Sequence, residues 1–148
     1  MPPQFTFTRR MRFSDTDMAG IVHFANFYRF MEEAEHEMFR SLGFKIVEDQ
    51  PDGSVVGWPR VRASCAFEAP AYYDDLLEID VYICRIGVKS LTMAFHFRRG
   101  QTRLATGEVK TVFCRFGRGG KFESIAIPAA YNEKLTESPP DKRVKHDE

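Results

Sequence analysis

Apolar and polar residues alternate through residues 5–13, FTFTRRMRF, and this predicts an opening β-strand. The period changes from Phe24 onward. Phe27, Met31, Ala34, Met38 and Leu42 recur at three- and four-residue steps, the stripe of an amphipathic helix. Glu32, Glu33, Glu35 and Glu37 fall mostly off that stripe and predict a wet face. Gly43 is a natural stop, because glycine tolerates the left-handed conformation that ends many helices. The predicted helix is then about 18 residues long, roughly 27 Å at the standard rise.

Strand periodicity returns after the turn cluster at 49–53. Strands are predicted over 54–68, 76–86, 90–98 and 103–116, with a short last one in 121–127. Leu77, Ile79, Val81 and Ile83 share one face, and so do Leu91, Met93, Phe95 and Phe97. A strand, a long helix and a run of antiparallel strands predict an α+β fold with the helix against a curved sheet. Residues 1–131 read as a single domain. Residues 132–148 are charged and carry Pro139 and Pro140, so they predict a disordered tail.

Composition narrows the picture. The chain has 148 residues, with 21 basic and 21 acidic side chains, and a net charge of zero predicts no nucleic-acid partner. No segment approaches the length of apolar chain that crosses a bilayer, so no membrane insertion is expected. The opening residues lack a secretory signature, and a cytoplasmic location is expected. Cys65, Cys84 and Cys114 are odd in number and widely spaced, which argues against a disulfide framework or a zinc site. Fourteen phenylalanines imply a large aromatic core, an apolar interface or an apolar ligand pocket.

The turn before the helix holds the candidate chemistry. Asp15 and Asp17 precede it, and Gly20 permits a sharp reversal between Asp17 and Phe24. Such a fold-back brings Asp17 near the first amides of the helix, those of His23, Phe24 or Ala25. Helix-opening amides lack intrahelical acceptors and favour a negative group beside them. One loop then offers both a carboxylate and an oxyanion site. An aspartate before a helix is more often only a cap, and residue chemistry alone leaves that reading ahead.

The run Asp15-Thr16-Asp17-Met18-Ala19-Gly20-Ile21-Val22-His23-Phe24-Ala25-Asn26-Phe27-Tyr28 resembles the signature of the 4-hydroxybenzoyl-CoA thioesterase family. The stretch from Phe67 through Pro70, Ala71, Tyr72, Tyr73, Asp74, Asp75 and Leu76 to Ile79 resembles it too, as does Val88-Lys89-Ser90-Leu91. The likeness covers roughly residues 5 to 130.

The resemblance implies the hotdog fold and hydrolysis of an acyl- or aroyl-CoA thioester. It implies Asp17 as nucleophile or general base, and the Phe24 N–H as the donor to the thioester oxygen. Gly20 and Ile21 would shape the loop, His23 would line the acyl pocket, and Arg85, Lys89 and Ser90 would meet the phosphates of coenzyme A. For Arg85 and Lys89, a solvated strand edge is an equal alternative. A homo-oligomer is implied, dimer or tetramer, with active sites at subunit contacts. No metal and no cofactor beyond the substrate's coenzyme A is implied. Two other readings share the fold: a non-catalytic protein that binds acyl-CoA or an acyl carrier, and a hydratase or dehydratase, whose Asp/His dyad is not found.

Overall fold

Five strands join into one antiparallel sheet: β1 (Phe5–Arg10), β4 (Arg60–Phe67), β5 (Leu76–Ile86), β6 (Ser90–Arg99) and β7 (Thr102–Val112), in the order β1-β5-β6-β7-β4. The computed structural model describes residues 2–117 and 119–145. The long helix α1 (Asn26–Ser41) lies against one face of this sheet. This is the α+β hotdog arrangement expected from the sequence.

Alternation along the strands sets the core. Leu77, Ile79, Val81, Ile83, Leu91, Met93, Phe95 and Phe97 are all buried, and they meet Phe27, Phe30, Met31, Ala34 and Met38 of α1. Phe27 lies edge-on to Phe97 and to Phe67, each at 5.1 Å between ring centroids. Gly107 of β7 has no side chain, and the Met31 sulfur sits 2.3 Å from where a Cβ would stand. The helix packs closely on the sheet because that position is bare.

α1 spans 16 residues and starts at Asn26, two residues after the change of period at Phe24. Its end is built as Gly43 predicted. Gly43 takes a φ of +85°, its N–H donates to the Arg40 carbonyl, and the Phe44 N–H reaches back to the Phe39 carbonyl at 2.9 Å. These two bonds satisfy carbonyls that the last turn leaves open. The acidic face is not uniformly wet. Glu35 is 1% exposed and ion-paired with Arg60, because that edge of α1 faces β4.

Two predicted strands are broken. Residues 54–68 divide into β3 (Val55–Gly57) and β4, separated by Trp58 and Pro59. Proline cannot donate to a ladder, and Trp58 turns inward to stack on Phe39. Residues 103–116 divide into β7 and β8 (Cys114–Phe116), with Phe113 buried between them. A second small sheet runs β2 (Glu48–Asp49), β3, β8 and β9 (Glu123–Ser124). Of the last predicted strand only β9 forms.

The disordered tail expected over 132–148 is corrected for residues 132–145; His146, Asp147 and Glu148 lie outside the described residues. The helix α2 (Ala129–Lys134) runs into this region and buries Tyr131. The chain beyond it crosses the outer face of the main sheet. The Ser138 N–H donates to the Ile83 carbonyl at 2.8 Å, the Lys142 carbonyl meets His96 Nε2 at 2.7 Å, and Arg143 bonds Glu108 at 2.7 Å. Charge patterning hid this docking, because the partners are polar residues on the second sheet face. His96 is one of them, its ring nitrogen satisfied by the Lys142 carbonyl. Cys65, Cys84 and Cys114 are free thiols, the last two buried. Burial pushes the Cys65 thiol up to about 12 and the Cys84 thiol to about 11.

Candidate active site

The loop before α1 is fixed from below by Asp15. This carboxylate is buried, pairs with Arg9, and accepts the Arg12 N–H at 2.7 Å. The Arg9 guanidinium also lies 4.4 Å over the Phe30 ring and bonds Glu33, which ties β1 and the loop to α1. The Asp15 carbonyl accepts the His23 N–H at 2.9 Å and the Asn26 side-chain amide at 2.8 Å. Asp15 is therefore a structural anchor.

Asp17 sits at the reversal. Its N–H donates to the Ile21 carbonyl at 2.9 Å, and its carbonyl accepts the Gly20 N–H at 3.0 Å. Gly20 has a φ of +82°, the conformation its side-chain freedom allows. Val22 then donates to the Ala71 carbonyl at 2.8 Å, and Ile21 bridges Tyr72. The loop is thus sewn to the segment that follows β4. One carboxylate oxygen of Asp17, Oδ1, accepts the Ala19 N–H at 2.9 Å. Its other oxygen accepts no hydrogen bond among the described residues.

Asp17 opens onto a cavity of about 460 Å³. Ile21, Val22, Phe24, Phe27 and Phe67 line it, with the wall formed by Glu68 to Ala71. Asp17 and Glu68 are the charged side chains of an otherwise apolar lining. Glu68 is ion-paired with Lys142 of the docked tail.

The opening amides of the helix are not equally available. The His23 N–H goes to Asp15, and the Ala25 N–H goes to His23 Nδ1 at 3.1 Å. The Phe24 N–H has no acceptor among the described residues, and Phe24 is on the cavity wall. Of the three amides considered from the sequence, this one remains.

The expected site residues separate into two groups. Asp17, Ile21 and Phe24 meet at the cavity, with Gly20 shaping the turn beside it. His23 does not line the cavity: it caps the helix through Ala25 and stacks on Phe24 at 4.8 Å. Arg85, Lys89 and Ser90 lie at the other end of the sheet. Arg85 is nine positions along β5 from Leu76, roughly 30 Å at the strand rise. One chain does not bring them to the Asp17 cavity. Phe27, Phe67 and Glu68 were not singled out as site residues. Phe27 reads as a core position of the helical stripe, and only its place at the helix start gives it a second role.

Known proteins share this fold. The profile of the Thioesterase-like superfamily matches residues 11–143. The 4-hydroxybenzoyl-CoA thioesterase of Pseudomonas sp. (strain CBS-3) is 29% identical over 142 residues, covering 90% of this chain and 98% of that protein. A 1,4-dihydroxy-2-naphthoyl-CoA hydrolase of Prochlorococcus marinus (strain NATL1A) is 28% identical over 110 residues, 70% of this chain and 73% of the other. The solved structure of a gentisyl-coenzyme A thioesterase superposes with a TM-score of 0.74 at 32% identity, over 86% of this chain and 99% of that one. With the profile matching most of its length, the chain belongs to the Thioesterase-like superfamily.

Proposed function

We propose that this protein hydrolyses the thioester bond of an acyl- or aroyl-CoA. One observation carries the reading: Asp17 and Phe24 line one apolar cavity, and a carboxylate oxygen of the first and the amide of the second have no partner among the described residues. The relatives named above are thioesterases and hydrolases of aromatic CoA thioesters, which supports the same chemistry.

In this reading the acyl group lies among Phe24, Phe27 and Phe67, and the thioester oxygen accepts the Phe24 N–H. As the carbonyl carbon becomes tetrahedral, negative charge gathers on that oxygen and strengthens the bond. Asp17 acts in one of two ways. As a general base it takes a proton from water, whose oxygen bonds to the carbonyl carbon. As a nucleophile it forms a mixed anhydride that water then opens. Either route breaks the carbon–sulfur bond, releases coenzyme A as the thiol and leaves the free acid. A thiolate leaves readily, so no strong acid is needed opposite Asp17.

Arg85, Lys89 and Ser90 can serve this cavity only from a second copy of the chain. The outer edge of β4 is unpaired in the main sheet and is open to such a copy. We therefore propose a homo-oligomer, dimer or tetramer, working in the cytoplasm. No helix among the described residues is long and apolar enough to cross a membrane.

The test is release of free thiol from a panel of benzoyl, naphthoyl, branched and straight-chain CoA thioesters. Turnover of at least one class is expected. Tight binding with no thiol released from any of them overturns the hydrolase and leaves a binding protein.

A further inference from the structure

A second cavity, of about 170 Å³, lies between α1 and β4, lined by Tyr28, Met31, Glu32, Glu35, Arg60 and Ala63 among others. Glu35 is 1% exposed. Its Oε1 is paired with Arg60, while its Oε2 is buried and has no hydrogen-bond partner among the described residues. Arg60 is held in place by a further bond to the Trp58 carbonyl at 2.9 Å. A buried carboxylate oxygen without a donor is costly. Glu35 is on the wall of this cavity, so a shift of a neighbouring side chain would open this oxygen to a donor from outside the chain.

The two cavities are lined by successive residues of the same two elements, α1 and β4. Phe27 lines the first, and Met31, one helical turn on, lines the second. Phe67 lines the first, and Ala63, four residues away on the same face of β4, lines the second. Met31 stands at the join, laid over the bare Gly107. Its thioether side chain is flexible enough to move aside.

We propose that Glu35 is a specificity-determining residue, and that its cavity is the distal end of the acyl site, where Oε2 accepts a hydrogen bond from a hydroxyl on the far end of the acyl group. The inference rests on the hydrolase reading above. Its length requirement is definite. Asn26, which opens α1, and Glu35 are nine residues apart, which is roughly 14 Å along the axis. The glutamate side chain leans back toward the helix N-terminus, so roughly 10 Å remains to be spanned. A single benzoyl ring falls short. Two fused rings with a hydroxyl on the outer ring reach.

The experiment compares 6-hydroxy-2-naphthoyl-CoA with its 6-methoxy ether, in the wild type and in Glu35→Gln, at about pH 8.5, where Glu35 is ionised. The ether has lost its donor and sets an acceptor against the carboxylate. Wild type should favour the hydroxyl compound in kcat/KM by roughly tenfold or more. Glutamine offers an N–H to the cavity, so in the variant the preference should shrink or reverse. Dissociation constants of both thioesters, measured on Asp17→Asn protein with and without Glu35→Gln, give the same comparison without turnover. Should Glu35→Gln fail to fold, Glu35→Leu/Arg60→Met removes both charges together and replaces it. Equal hydroxyl-to-methoxy ratios in wild type and variant overturn the proposal and leave a cavity that holds only water. Failure to hydrolyse any CoA thioester defeats the hydrolase reading instead, and the dissociation constants still decide this one.

Discussion

Asp15 and Asp17 lie two residues apart in unlike surroundings: Asp15 is buried against Arg9, whereas Asp17 stands on a cavity wall with one oxygen unbonded among the described residues. The backbone reversal at Gly20 belongs to Asp17 alone. Their substitutions should therefore fail in different ways.

Asp15→Ala removes the partner of a largely buried guanidinium and the acceptor of the Arg12 N–H. Breaking such a pair from one side costs about 3 kcal/mol. A fall in the midpoint of chemical denaturation is expected at unchanged m-value. Asp17→Asn should leave that midpoint within about 0.5 kcal/mol of wild type, as for other exposed polar changes.

Gly107→Ala puts a Cβ 2.3 Å from the Met31 sulfur. Met31 is 1% exposed, so its side chain must shift within the core to make room. Overpacking of this kind costs about 1–3 kcal/mol. Combined with Met31→Ala, the loss should be smaller than the sum of the two single losses, because the added methyl fills space the thioether has left. Thermal denaturation of the four proteins measures the cycle.

Glu35 makes stability depend on pH. Burial lifts its carboxyl from 4.5 to about 7, and the opposing pull of Arg60 does not cancel this. The folded chain therefore holds this proton more tightly than the unfolded chain. The group's contribution to stability is full below pH 4.5 and is lost as pH rises through 7. The loss is at most about 3 kcal/mol. Glu35→Gln should flatten this part of the profile, so the difference in stability between wild type and variant should change between pH 4.5 and pH 8. A difference that stays constant over that range contradicts the assignment.

The docked tail is testable through Arg143. It donates twice to Glu108, which is 2% exposed. Arg143→Ala leaves that carboxylate with fewer donors in a buried place, at a cost of about 1–2 kcal/mol. Faster amide exchange is expected first at Ser138, whose N–H binds the Ile83 carbonyl. Unchanged exchange there contradicts the docked arrangement.

The helix and the sheet were legible because burial imposes a period. Phe27, Met31, Ala34 and Met38 mark one face of α1, and Gly43 marks its end. The breaks at Trp58 and Phe113 were less legible, since a strand that changes sheets keeps its apolar character. Asp17, Gly20 and Phe24 could be placed because the loop is local in sequence. Glu35 could not. Its burial depends on Arg60, 25 residues away on β4, and a run of glutamates reads as a wet surface. The tail was misread for the same reason, because its partners Glu108 and His96 are buried polar residues whose exposure no local pattern reports.

The most direct measurement of the central claim is thiol release from an acyl-CoA that the wild type turns over, repeated with Asp17→Asn under the same conditions. A loss of roughly 10²-fold or more in kcat is expected, with an unchanged denaturation midpoint. Wild-type turnover by the folded asparagine variant would contradict the claim and move the chemistry away from residue 17.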